Sequence, residues 1–348
     1  MQYSQFRSKA IGCILAGAAG DALGYAVEFL SYSAIMCKFG NAGITDYVPE
    51  ADGLAVFSDD TQMTLFTAEG IMEAFHSGEQ TVENYINSIA RAYLRWYKTQ
   101  TKPFKPEEGL LGERRLWEMR APGNTCMSAL HAVGQGLDPI NNSKGCGSIM
   151  RVAPVGIFSA SHRWLMSEKE TALIAAGSGE ITHLNKVSSV ATAIQALIVR
   201  EAMLSEETNR RDLKRLIQRA AEEAVNSLDI QSSMGTNLLN YLGRAYNLAE
   251  SSTPDFMAIS ELGQGWVAEE SLAIAVFSAL RHCDSIEKAL ICASNHDGDS
   301  DSTAAIAGNI LGAYLGVEAI PSKFIDTLEL VPLMENIAVS LLEQPKEI

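Results

Sequence analysis

Positive charge is scarce in this chain. Across 348 residues, 27 Lys and Arg stand against 42 Asp and Glu, a formal net charge of −15. A chain this acidic has no general attraction for nucleic acid or an anionic membrane, so neither is expected as a partner. An anionic small ligand would need a local source of positive potential. Cysteine is thinly spread: Cys13, Cys37, Cys126, Cys146, Cys283 and Cys292 form no C-x-x-C pair and no paired zinc spacing. That pattern reads as reduced thiols in a cytoplasmic protein rather than as a disulfide framework. Alternating apolar and polar strand patterns are nearly absent. So are repeats of fixed period, low-complexity tracts, and runs approaching the roughly 18 apolar residues of a membrane span. With 47% apolar and 20% charged residues, the chain has material for a sizeable core, and disorder, coiled coil and collagen-like structure are excluded.

What is present is helical periodicity. Leu65, Ala68, Met72 and Phe75 share one face of a helix over Thr61–Ser77. Similar patterns cover Val82–Lys98, Asn185–Leu204, Arg211–Leu228, Glu270–Arg281, Ser285–Ser294, Ser302–Gly316 and Phe324–Leu342. Loops are expected at Ala42–Ser58, Thr101–Glu113, Ala121–Asn124 and Pro139–Gly147, none long enough to separate domains. The expectation is an all-α, compact multi-helix single domain spanning 1–348. Arg7 and Lys9 before the apolar run Ala10–Gly20 have the outline of a short signal peptide. Asp21, Glu28 and the many small residues of that run favour a closely packed helix instead.

Two acidic runs stand out: Ser58-Asp59-Asp60-Thr61 and Asp297-Gly298-Asp299-Ser300-Asp301-Ser302, each at the start of a helix. Capping explains one Ser or Asp per helix. It does not explain adjacent carboxylates, which repel unless a cation lies between them. Mg²⁺, Mn²⁺ or Ca²⁺ would take such oxygen ligands. Read from the residues alone, capping and metal binding both stand. The second run is no EF-hand, because no Glu occupies the twelfth position. Ala304, Ala305, Ala307, Gly308 and Ala313 give the following helix a nearly bare surface, which would set Asp299 and Asp301 at the floor of a cleft.

Asn142-Ser143-Lys144-Gly145-Cys146-Gly147-Ser148 is a Gly/Ser loop leading towards an apolar helix. By itself it is an ordinary turn, neither a P-loop nor a dinucleotide fingerprint. Gly123-Asn124-Thr125 reads as a structural joint. His183 could line a pocket, and His296 could cap a helix or support the acidic run. Trp266 is expected in the core. No G-x-S-x-G nucleophile motif occurs.

Taken in order, five segments resemble the ADP-ribosylglycohydrolase family: Gly17-Ala18-Ala19-Gly20-Asp21-Ala22-Leu23-Gly24 with Glu28, Ser58-Asp59-Asp60-Thr61, Gly145-Cys146-Gly147-Ser148-Ile149-Met150-Arg151, Thr182-His183, and Gly298-Asp299-Ser300-Asp301-Ser302-Thr303. The resemblance implies an all-helical fold around a central cleft with two divalent cations, Mg²⁺ or Mn²⁺. It implies Ser58, Asp59, Asp60, Asp299, Asp301 and Ser302 as their ligands. Asn142, Ser143, Lys144, Gly145, Cys146, Gly147, Ser148 and His183 would hold the ADP-ribose. Ser302, where many relatives carry Thr, resembles the arginine-specific branch.

The expected activity is metal-dependent hydrolysis of the bond between ADP-ribose and a protein side chain, arginine first. Asp60 or Asp301 would take a proton from water, and Glu28 would act on the leaving group or steady the developing positive charge. The expected partner is an ADP-ribosylated protein. The alternative is an immunity protein that binds ADP-ribose and blocks an ADP-ribosyltransferase toxin.

Overall fold

Two helices rich in glycine and alanine meet backbone to backbone at the centre of the molecule. They are Tyr3–Tyr25 and Ser300–Leu315, and they form the most extensive helix pair in the fold. A Cβ on Gly308 would lie 2.0 Å from the carbonyl oxygen of Ala16, and one on Gly20 would lie 2.2 Å from that of Ala304. At those two positions no side chain fits between the axes; at Gly17 the space is taken by the Asn309 amide, which donates to the Cys13 carbonyl at 2.9 Å. Every residue from Lys9 to Gly24 is buried, so the apolar opening run is a core helix. This computed structural model describes residues 3–230 and 232–344, so the two ends of the expected 1–348 domain lie outside the described residues.

The all-α expectation holds: sixteen α-helices and four short 3₁₀ turns occur among the described residues, and the only β pairing there is two isolated bridges. One continuous hydrophobic cluster runs from Ala10 to Leu342. Helix limits agree with the periodicity to within two or three residues, as at Asp59–Ser77, Val82–Thr101, Lys186–Leu204 and Ser300–Leu315.

Two expectations need correction. Phe324–Leu342 is not one helix but Lys323–Asp326 followed by Val331–Ser340. Between them, Leu328 bridges to Ala55, and Glu329 is buried with its carboxylate paired to Arg120 and Arg115. Leu330 takes a left-handed φ of 56° and Pro332 opens the second helix, so periodicity alone hides the break. Lys186–Leu204 is also long and apolar enough to cross a membrane by length and composition, despite its interspersed Ser, Thr and Gln. Here 83% of its apolar window is buried against other helices, so it serves as core.

The close central contact makes a prediction. Gly308→Val drives a branched side chain into fixed backbone and should lower the unfolding free energy by about 3 kcal/mol, the upper range for overpacking a core. A urea midpoint equal to wild type would show that the two helices do not touch there.

Candidate active site

Both acidic runs begin helices, and the central packing brings those helix starts together. Ser58 caps Asp59–Ser77, its Oγ accepting from the Asp60 N–H at 3.2 Å, while Asp299 caps Ser300–Leu315 by accepting from the Ser302 N–H at 3.2 Å. Capping therefore occurs, but it occupies Ser58 and Asp299 and leaves the other acids over. Asp59, Asp60, Asp299 and Asp301 are each at most 4% exposed, and with Glu28 they line one cleft of about 340 Å³. Ser302 lines it too. Ser58 lies directly behind, fully buried. Asp297 turns away and accepts from the Tyr32 N–H at 2.7 Å.

The cleft crowds negative charge without compensation. Burial first, then Asp301, pushes Asp59 and Asp60 well above the usual carboxylate range. Asp299 moves the same way for the same two causes, and burial raises Asp301. Glu28 is raised to about 10 by burial, with Asp301, Asp299 and Asp59 adding to it. Asp60 Oδ2 and Glu28 Oε2 are buried with no hydrogen-bond partner. No lysine or arginine is among the lining residues. Orphaned buried oxygens of hard donors, gathered with serine hydroxyls, are the surroundings that divalent cations neutralise.

Among the described residues, one compact group of three potential metal donors lies elsewhere, at Asp255, His282 and Cys292. It closes on itself: His282 Nε2 sits 2.9 Å from Asp255 Oδ2 and the Arg281 guanidinium 3.7 Å from Oδ1.

Asp21, quoted in the opening motif but given no role, proves central to the site. Fully buried, it accepts from the Ser58 N–H at 2.8 Å, the Thr61 N–H at 2.9 Å and the Thr61 hydroxyl at 2.5 Å. It thus ties the first helix to the start of Asp59–Ser77 and aims Asp59 and Asp60. The signal for it was one carboxylate inside an otherwise apolar run. Burial and Asp301 raise Asp21 to about 7.

The glycine loop forms the opposite wall. Gly145, Cys146 and Gly147 line the cleft, and the Cys146 thiol donates to Asp299 Oδ2 at 2.6 Å. His183 sits beneath them, 2% exposed. The rest of the expected binding set does not face the cleft. Lys144 turns outward to pair with Glu269, and Asn142 accepts from Asn185 at 2.9 Å. Ser143 meets Thr125 at 3.2 Å, and Ser148 is buried against Ser188 and Thr192. The physical reason is an antiparallel bridge between Gly145 and Val267, which clips the loop by its backbone and leaves flanking side chains pointing elsewhere.

Three residues read as structural belong to the wall. Gly123, Asn124 and Thr125 line the cleft, and the Gly123 N–H donates to Asp59 Oδ2 at 3.3 Å. Trp266 is not core: it is 37% exposed at the mouth, its ring stacked on Phe29 with centroids 5.5 Å apart and planes 18° from parallel. Phe29 holds a left-handed φ of 65° to reach it. His296 supports from behind, bonded to Thr303 Oγ1 at 2.8 Å.

A model of known families matches residues 2–347 and describes the ADP-ribosylglycohydrolase family. The chain belongs to that family. ADP-ribosylglycohydrolase relatives include ADP-ribosylhydrolase ARH3 of Bos taurus, 28% identical over 204 residues, 54% of each chain, so the match spans about half of that relative. Another is ADP-ribosylarginine hydrolase Tri1 of Pseudomonas putida (strain GB-1), 25% identical over 99% of this chain and 80% of that one. A solved structure described as an ADP-ribosylglycohydrolase-related protein complex shares the fold, with a TM-score of 0.66, 24% identity, and coverage of 97% of this chain and 98% of that one.

The buried acids make stability depend on pH with a definite sign. Asp21, Glu28 and the four aspartates hold their protons in the folded state to higher pH than in the unfolded chain, so the folded state binds more protons and unfolding free energy falls as pH rises from about 4, through about 7 for Asp21 and on to about 10 for Glu28. Cation-free protein should therefore melt lower at pH 8 than at pH 5.5. Added Mg²⁺ or Mn²⁺ should recover the loss at pH 8. An identical melting temperature with cation and with EDTA would show that the cleft does not bind these ions.

Proposed function

We propose that this chain is a metal-dependent hydrolase that removes ADP-ribose from a modified protein side chain, arginine foremost. Family membership carries the coarser part, hydrolysis of a glycosidic bond of ADP-ribose. The observation that carries the rest is one cleft in which buried, unneutralised carboxylates from two helix starts face a glycine-walled recess. Asp59, Asp60, Asp299 and Asp301, with Ser58 and Ser302, would hold two divalent cations, Mg²⁺ or Mn²⁺. Such ions supply Lewis acidity and lower the pKa of bound water.

The chain's own residues provide the rest. Gly145 and Gly147, lacking side chains, let the His183 ring pack against the loop backbone, and His183 offers a ring nitrogen there. Asp60 Oδ2, buried without a partner and raised in the cation-free cleft, would take a proton from water in its ionised form, the form that neighbouring cations favour. Glu28, kept protonated by burial, would give a proton to the leaving nitrogen as positive charge develops at the anomeric carbon. Asp301 is the charge that couples to both.

Two features support arginine as the modified residue. The mouth presents the Phe29 and Trp266 rings beside Glu28, and a planar guanidinium stacks on aromatic faces while its charge meets the acids. Tri1 is named as an ADP-ribosylarginine hydrolase; ARH3 of Mus musculus also aligns over 94% of this chain, so the support lies in the name and not in the length matched.

Defined peptides carrying ADP-ribose on arginine or on serine give the test, with released ADP-ribose as the readout. Release from the arginine peptide, abolished by EDTA and restored by Mg²⁺ or Mn²⁺, is the expected result. Asp60→Asn and Asp301→Asn should each cost more than about 100-fold in kcat, beyond the usual loss for outer-shell partners of a metal. Trp266→Ala should raise KM for the arginine peptide by several-fold while leaving the affinity for free ADP-ribose alone. Tight binding without any release would move the chain to the immunity-protein reading, and preference for the serine peptide would overturn the arginine assignment.

A further inference from the structure

Arg151 is fully buried, yet among the described residues it has no carboxylate partner. Its guanidinium stacks 4.2 Å from the centre of the Tyr93 ring. It donates to the Thr182 hydroxyl at 2.7 Å, to the Ser178 carbonyl at 3.3 Å, and to the sulfurs of Met63 and Cys126 at 3.3 and 3.4 Å. Leaving a cation in the core without a counter-charge is costly. Arg151 sits immediately behind the cleft wall, since Cys126 lines the cleft.

The contact to Thr182 continues. Thr182 Oγ1 lies 2.8 Å from His183 Nδ1. A guanidinium can only donate, so Thr182 accepts from Arg151, and its one proton is left to give. The choices are Nδ1 at 2.8 Å, the Gly179 carbonyl at 3.4 Å and the Cys126 sulfur, a weak acceptor, and the short contact to nitrogen takes it. An Nδ1–H would instead aim a second donor at an oxygen already facing a cation. With Nδ1 accepting, the ring proton is on Nε2.

That edge faces the glycine wall. A Cβ on Gly145 would lie 3.3 Å from Nε2, and one on Gly147 would lie 3.2 Å from it. Nε2 has no protein partner among the described residues. Burial, then Arg151, holds the ring neutral by lowering His183 to about 3.

We propose that Arg151 and Thr182 are positioning residues that lock His183 as a neutral Nε2–H donor at the glycine wall of the cleft, so that it binds an acceptor oxygen of the ligand, a phosphate or ribose oxygen. The ligand part rests on the functional reading above; the tautomer does not. The relay also answers the demand for local positive potential in an acidic chain, because Arg151 places its charge behind the wall that the anionic part of the ligand would touch.

Ring-¹⁵N-labelled full-length protein tests this by two-bond ¹H–¹⁵N spectra, with His183→Asn assigning the signals. Wild type should show the Nε2–H tautomer unchanged from pH 5 to 8. Thr182→Ser keeps the hydroxyl and should match it. Thr182→Val should lose the single tautomer and weaken ADP-ribose binding about tenfold by calorimetry, the upper end for one neutral hydrogen bond. An Nδ1–H or protonated wild-type ring overturns the proposal without any variant, and so does a Thr182→Val spectrum equal to wild type. A wild-type chain with the Nε2–H spectrum that fails to bind ADP-ribose overturns the functional reading and leaves the relay standing.

Discussion

Four buried aspartates and a half-buried glutamate in one cleft, with no lysine or arginine among them, repel one another, and the surrounding structure has to hold them in place against that repulsion. The holding elements are rigid. The helix starts at Asp59 and Ser300 are anchored through the backbone: Asp21 takes three hydrogen bonds from Ser58 and Thr61, and the first helix lies against the Ser300 helix through glycine and alanine contacts and the Asn309 amide, which donates to the Cys13 carbonyl. A Cβ on Gly24 would fall 2.3 Å from the Ser300 carbonyl oxygen, so the chain leading to Glu28 rides directly on the chain that carries Asp299 and Asp301. Core packing and site geometry are here the same contacts.

The two walls of the cleft divide the work by charge. One wall is acidic and short of partners, suited to cations and to proton transfer. The other is built of glycine backbone, a neutral histidine and, one layer deeper, the uncompensated Arg151. An acidic protein can thus face an anionic ligand without long-range attraction, because the positive charge is placed locally and kept out of water, where it is little screened. The aromatic pair at the mouth joins the two walls, Phe29 following Glu28 and Trp266 accepting from the Cys146 N–H, and stands where the modified side chain would enter.

The residue types and their spacing were legible in the sequence. Helical periodicity, scarce strand patterns and small-residue faces determined an all-α fold with close helix contacts, since these depend on local geometry. Crowded carboxylates at two helix starts announced a site, because capping uses only one oxygen donor or so per helix. The small residues of the Ser300 helix placed that site at the floor of a cleft. Family membership followed from the order of short motifs.

Tertiary structure alone decided which side chains of each motif face inward. Lys144 and Ser148 sit in the glycine loop, but the bridge to Val267 turns one out to Glu269 and the other into the core. Trp266 and Gly123 carry no motif, and their place on the cleft depends on residues far away in the chain. Leu330 breaks the last helix because Leu328 and Glu329 are engaged by Ala55 and Arg120. The role of Arg151 depends on Thr182 and His183 lying beside it, thirty residues away. Periodicity reports which face of a helix is apolar; it holds no record of which distant partner that face or loop meets, and it is those long-range contacts that orient a donor, a ring or a charge.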